Sequence, residues 1–181
     1  MSKLLLHICC GVCGGPIVQK YKDSGFEVAG YFYNPNIHPY QEFLKRIEAV
    51  ESLSRQENVP IYYERAYGLD EFMKTVATHG QIHNKQRCSR CYKLRLNQTA
   101  QYARDNGYEA FASTLSISPF QDQALIKEIG RKEAESTGVK FVYETMTSLY
   151  HKSKELAKEH NLYQQQYCGC IFSEYERYAK K

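Results

Sequence analysis

Residues Lys3 to Ile8, Lys-Leu-Leu-Leu-His-Ile, form a near-continuous apolar run without polar alternation, which predicts a strand buried on both faces. Such a strand needs helices on each side of its sheet, and the downstream pattern supplies them. Gly14-Gly15-Pro16 offers a glycine entry with proline in a first helical turn, and Gly25 ends that helix. Glu27 to Tyr33 reads as a second strand, stopped by Asn34-Pro35-Asn36. From Pro39 to Asn58 the apolar positions Phe43, Ile47, Val50 and Leu53 recur at helical spacing, and Pro60 leads into a third strand, Ile61 to Tyr63. Asp70 to Thr78 reads as a further helix, followed by a polar loop from His79 to Arg87. A helix from about Ser89 to Asn106 carries Tyr92, Leu96, Thr99 and Ala103 on one face, with Gly107 as its stop. Glu109 to Ser113 is a fourth strand, Pro119 to Thr137 a helix, and Lys140 to Tyr143 a fifth strand. In Ser118-Pro119-Phe120-Gln121 the serine, proline and glutamine satisfy a helix-cap pattern.

This alternation predicts an α/β fold: a parallel, doubly wound sheet of about five strands. After Leu149 it gives way to a basic helix with Lys152, Lys154 and Lys158, then Cys168-Gly169-Cys170 and a terminal helix, read together as a C-terminal helical appendage. A chain of 181 residues without internal repeats suits one domain, 1–181, able to bury its own core.

Seven cysteines fall into three groups: Cys9, Cys10 and Cys13 after the first strand, Cys88 and Cys91 at a helix start, and Cys168 and Cys170 near the C-terminus. The opening apolar run is too short for a signal-peptide core, and no stretch approaches the roughly 18 apolar residues of a membrane helix. A cytoplasmic location without membrane association is therefore expected, where grouped thiols serve as metal ligands or catalysts rather than disulfides. The first group lies just beyond the carboxyl end of a strand, where open α/β sheets place their sites. In a first helical turn Cys88 and Cys91, flanked by Arg87 and Arg90, are expected to deprotonate easily. Cys168 and Cys170 can point the same way on an extended segment, with Gly169 allowing the backbone to approach a bulky cluster. Neighbouring Cys9 and Cys10 diverge on an extended chain, which suggests two metals side by side. Two other readings use fewer thiols: a tetrahedral zinc site from the C-x-x-C pairs, and a thioredoxin-like redox pair at Cys10 and Cys13.

The net charge is only +4, yet Lys85, Arg87, Arg90, Lys93 and Arg95 share a short window with no acid. Sixteen tyrosines and eight phenylalanines offer flat surfaces for stacking bases, as recognition of looped RNA requires. A solvated helix start and ordinary core aromatics would account for the same composition. The six histidines share no ligand spacing and read as surface or packing residues.

His7-Ile8-Cys9-Cys10-Gly11-Val12-Cys13, Tyr33-Asn34-Pro35-Asn36-Ile37, Cys88-Ser89-Arg90-Cys91-Tyr92 and Tyr167-Cys168-Gly169-Cys170 together resemble the cobalamin-independent epoxyqueuosine reductases of the QueH type. Ser113-Thr114-Leu115 with Ser118-Pro119 and Asp122, and the stretch from His151-Lys152-Ser153 to Tyr163, are similar to the same family. The resemblance implies a HUP/Rossmann-like fold and a two-electron, two-proton removal of the epoxide oxygen from epoxyqueuosine at the wobble position of tRNA. It implies a 4Fe-4S cluster beside a second metal ion, taken as iron, with all seven cysteines as ligands. The Ser-Gly-Gly-x-Asp-Ser loop of the ATP-using members of that fold class is absent, and so are dinucleotide-binding glycine motifs, so an external electron donor is expected. Asp122 is the candidate proton donor, and Lys85, Arg87, Arg90, Lys93, Lys152 and Lys154 are the candidate contacts to tRNA phosphates. Against this stand a thiol–disulfide oxidoreductase and a zinc-stabilised RNA-binding module without catalysis.

Overall fold

The computed structural model describes residues 1–77 and 85–179. Thr78 of the expected third helix and 79–84 of the expected polar loop, including His79 and His83, lie outside the described residues. Strands β1 (Lys3–His7), β2 (Glu27–Phe32), β3 (Ile61–Tyr63), β4 (Ala110–Ser113) and β5 (Lys140–Phe141) form one sheet in the order β3-β2-β1-β4-β5, every pair parallel. This is the doubly wound α/β architecture expected from the alternation of apolar runs and helical patterns. Leu4, Leu5 and Leu6 of the central strand are all 0% exposed. Full burial of such a side chain contributes roughly 1.5–3 kcal/mol, so this one strand anchors both cores.

Leu4 and Leu6 face a core shared with helices α1 (Gly11–Asp23), α2 (Tyr40–Glu57) and α6 (Tyr150–Glu159). Leu5 faces Ala100 and Ala103 of helix α4 (Lys85–Asp105), with Phe111 of β4 beside it. Helix α5 (Gln123–Thr137) packs beside α4 through Ile126 and Ile129 against Tyr92 and Leu96. Helix α3 (Leu69–Val76) and the terminal helix α7 (Ile171–Tyr178) meet over the carboxyl end of the sheet, where Phe72 and Val76 pack with Cys91, Cys170 and Phe172.

Three boundaries differ from the sequence expectation. Helix α1 starts at Gly11, before Gly14-Gly15-Pro16, because the glycine allows α1 to lie directly on α2: a Cβ at Gly11 would come within 2.5 Å of the Ala49 carbonyl oxygen. Cys13 therefore stands inside the first turn. The described part of helix α4 runs from Lys85, so Cys88 lies one turn and Cys91 nearly two turns inside it. Residues Thr114–Ile117 form a buried 3-10 turn, and α5 begins only at Gln123, capped by Asp122 rather than through the Ser118–Gln121 pattern.

Candidate metal centre

The chain runs from β1 to β2 and β3 on one side, then crosses to β4 on the other, so the strand order reverses between β1 and β4. The carboxyl ends of these two strands open a crevice, the position at which such sheets bind ligands. Cys9 and Cys10 follow β1 directly, and Thr114 follows β4. The Thr114 hydroxyl lies 3.4 Å from the Cys9 amide and 3.6 Å from Cys9 Sγ. Below them His7, fully buried, sits 2.9 Å from the Ser113 hydroxyl and 3.2 Å from the Tyr33 carbonyl, fixing the ends of three neighbouring segments. Burial, reinforced by the nearby Arg95 charge, lowers the His7 imidazole to about 3, so it is neutral.

The expected thiol groups arrive from three directions. Cys10 lies within hydrogen-bonding reach of both Cys9 and Cys13, and Gln165 Nε2 donates to Cys10 Sγ over 2.9 Å. On the facing side Cys91 and Cys88 of α4 sense the charge of Cys168, which is paired with Cys170. Cys170 caps α7, its sulfur accepting from the Ser173 amide at 3.4 Å, and Cys168 Sγ lies 3.1 Å from the Ser173 hydroxyl. Among the described residues, no group of three or more Cys, His, Asp or Glu side chains converges as a ready-made metal cage. The sulfurs form two sets, Cys9 with Cys10 and Cys13, and Cys88 with Cys91, Cys168 and Cys170, and Arg95 feels the charge of both.

Arg95 and Arg46 link these sets; Arg95 belongs to the basic window expected to face phosphates but is buried beside the sulfurs instead, and no motif marks Arg46. Arg95 is 3% exposed, its Nη1 is 3.7 Å from Cys91 Sγ, and its charge also acts on Cys9. Its Nη2 is buried without a hydrogen-bond partner among the described residues. Arg46 is 1% exposed and paired with Glu42 at 2.7 Å. Its other two nitrogens donate to the Cys168 and Tyr167 carbonyls at 3.0 and 2.9 Å, clamping the C-terminal segment over the crevice. The His38 amide completes the clamp through the Gly169 carbonyl at 2.8 Å. Both arginines had a signal in the sequence. Arg95 stands four residues after Cys91 on one helix face, and Arg46 follows Glu42 by four on the apolar stripe of α2.

One expectation about the thiols changes. Burial raises the Cys88 and Cys91 thiols above the ordinary value despite Arg87 and Arg95 nearby, so they do not deprotonate easily by themselves. Cys9 and Cys10 are also raised, Cys9 chiefly by its hydrogen bond with Cys10, and Cys10 to about 12 chiefly by its hydrogen bond with Cys13. Cys168 alone is lowered, because Cys170 donates to it. Gly169 takes φ +124°, and its close neighbours are Arg46, Ile37 and Asn36, within 3.1–3.3 Å of an added Cβ. Its missing side chain serves the clamp.

The other candidates are surface side chains, Arg87 excepted. Asp122 is exposed and accepts from the Leu125 amide at 3.0 Å as the N-cap of α5. Lys85, Arg90, Lys93, Lys152 and Lys154 are exposed, whereas Arg87 is 3% exposed. Arg87 pairs with Glu176 at 3.2 Å and covers the Phe172 ring at 4.7 Å, tying α7 to α4. A cavity of about 300 Å³ opens on Cys13 between Phe120, Tyr150 and Gln165. No described helix is long and apolar enough to cross a membrane.

Residues 4–176 match the sequence profile of the family described as epoxyqueuosine reductase QueH. The epoxyqueuosine reductase QueH of Dehalococcoides mccartyi is 41% identical over 178 residues, covering 98% of this chain and 96% of that protein. That of Thermotoga maritima is 35% identical over 186 residues, covering 99% and 94%. A predicted subunit of a tRNA methyltransferase from Methanocaldococcus jannaschii shares the fold with TM-score 0.57 at 12% identity, over 88% of this chain and 75% of that one.

Proposed function

Since this chain belongs to the QueH family of epoxyqueuosine reductases, we propose that its seven thiols hold a 4Fe-4S cluster and an adjacent second metal ion, iron, for deoxygenating epoxyqueuosine in tRNA. The observation that carries the metal assignment is Arg95. A buried guanidinium without a counterion costs several kcal/mol, and no carboxylate pairs with it among the described residues. The groups around it are Cys91, Cys9 and Cys168, which become its counterion when metal displaces their protons. An all-sulfur donor set suits iron–sulfur chemistry rather than magnesium or calcium. The metals, when bound, supply electrons and Lewis acidity.

The chain's own residues do the rest. Gln165 holds Cys10, Thr114 holds Cys9, and Arg46 keeps Cys168 and Cys170 over the crevice. Lys85, Arg90, Lys93, Lys152 and Lys154 contact phosphates of the anticodon arm, while Arg87 contributes its positive charge from inside the α4–α7 contact. Asp122, the exposed N-cap of α5, is the residue assigned to protonate the departing oxygen, and an external reductant in the cytoplasm supplies the electrons.

The test is iron and sulfide analysis with visible absorption on protein purified without oxygen, followed by turnover of epoxyqueuosine-bearing tRNA with a chemical reductant. About four irons with four sulfides plus a further iron is the expected result. Zinc alone, with no broad visible absorption, overturns the assignment.

A further inference from the structure

Phe120 is 79% exposed, the most exposed aromatic side chain among the described residues. Exposure of one ring means little by itself, but Phe120 stands on the turn between the 3-10 turn after β4 and the Asp122 cap. There it meets Tyr150 edge-on, with centroids 5.8 Å apart and planes at 82°. The two rings wall a cavity of about 300 Å³ whose inner surface includes Val12 and Cys13. That volume is at the small end for a site that holds an organic ligand. Gln165 also lines it, donating its amide N–H to Cys10 Sγ at 2.9 Å while its Oε1 is buried without a partner among the described residues. At the rim stand Lys154, 5.5 Å from the Tyr150 ring centroid, and Arg177. A larger groove between α4 and α5, about 470 Å³, contains Arg90, Lys93 and Glu128 but no thiol.

We infer that the Phe120–Tyr150 cavity is the subsite for the everted modified base. The base stacks on the exposed Phe120 ring with the perpendicular Tyr150 ring against its edge, and Lys154 and Arg177 take the flanking phosphates. The inference rests on the epoxyqueuosine reductase reading and deepens it. Bases in an anticodon loop are free to splay out and stack on aromatic side chains, and an exposed ring set perpendicular to a second, with a cation beside it, gives a corner that takes one base face and one base edge. The cavity directs whatever the base carries toward Cys13. Phe120 and Tyr150 are thus positioning residues, setting where the epoxide lies without touching the reacting atoms.

The experiment uses metal-loaded enzyme and an anticodon stem-loop carrying epoxyqueuosine. Saturation kinetics, anisotropy binding and iron content are measured for the parent, Phe120→Ala, Tyr150→Ala and Phe120→Tyr. Loss of one stacked ring raises KM and Kd roughly fivefold or more at unchanged iron content, and Phe120→Tyr restores both. Parental KM and Kd in both alanine variants, with turnover intact, overturn the subsite and leave the reductase reading standing. An increase that Phe120→Tyr fails to rescue also overturns the stacking role. If the parent itself gives no turnover, the underlying reading falls and the subsite falls with it.

Discussion

Replacing Arg46 with methionine keeps much of the side-chain volume and removes the charge and all three donors. In the parent these donors meet Glu42 at 2.7 Å and the Cys168 and Tyr167 carbonyls at 3.0 and 2.9 Å, in a site where Arg46 is 1% and Glu42 6% exposed. The variant leaves Glu42 buried without its cation, and breaking a buried pair from one side costs about 3–5 kcal/mol. For a chain of this length that is a fall in Tm of roughly 6–20 °C. Adding Glu42→Gln removes the stranded charge while keeping an acceptor for Tyr163, and should recover about 1–2 kcal/mol of the loss. Chemical unfolding of the metal-free protein under reducing conditions measures the energies. Alkylation rates of Cys168 and Cys170 report the clamp, and both should rise in Arg46→Met. If Arg46→Met unfolds within about 1 kcal/mol of the parent and its alkylation rates are unchanged, Arg46 is no clamp, and the argument from buried pairing is wrong.

Replacing Arg90, Lys93 or Lys154 singly with alanine should each reduce the slope of log affinity for tRNA against log salt by about 0.7, because one phosphate contact is lost. Unchanged slopes in all three variants remove these side chains from the phosphate surface. Asp122→Asn should unfold within about 0.5 kcal/mol of the parent, since asparagine caps as well as aspartate, while Asp122→Ala loses about 1 kcal/mol. If Asp122 is the proton donor, the stable asparagine variant nevertheless loses turnover; parental turnover with the parental pH profile assigns the acid to another group.

Much of the fold was legible because periodicity survives in a linear reading. The near-continuous apolar run at Lys3 to Ile8 required a doubly covered strand, and Phe43, Ile47, Val50 and Leu53 marked a helix that buries one stripe. Boundaries were less legible. Where α1 begins depends on how closely α2 approaches Gly11, and the cap of α5 depends on which of several suitable residues lies near the free amides. Local patterns allow several starts, and packing selects one.

For the site, the sequence alone determined the donor chemistry: seven thiols in three groups, a basic window and the family motifs that run nearly end to end. Only the tertiary structure decided that the thiols fall into two sets, that Arg87 turns inward to Glu176, and that Arg95 is buried beside the Cys91 sulfur and Arg46 beneath the Cys168 carbonyl. It also reversed the expected ionisation of Cys88 and Cys91. Helix position and neighbouring charges can be read along the chain, but desolvation depends on everything that folds over a group, and here it outweighs both.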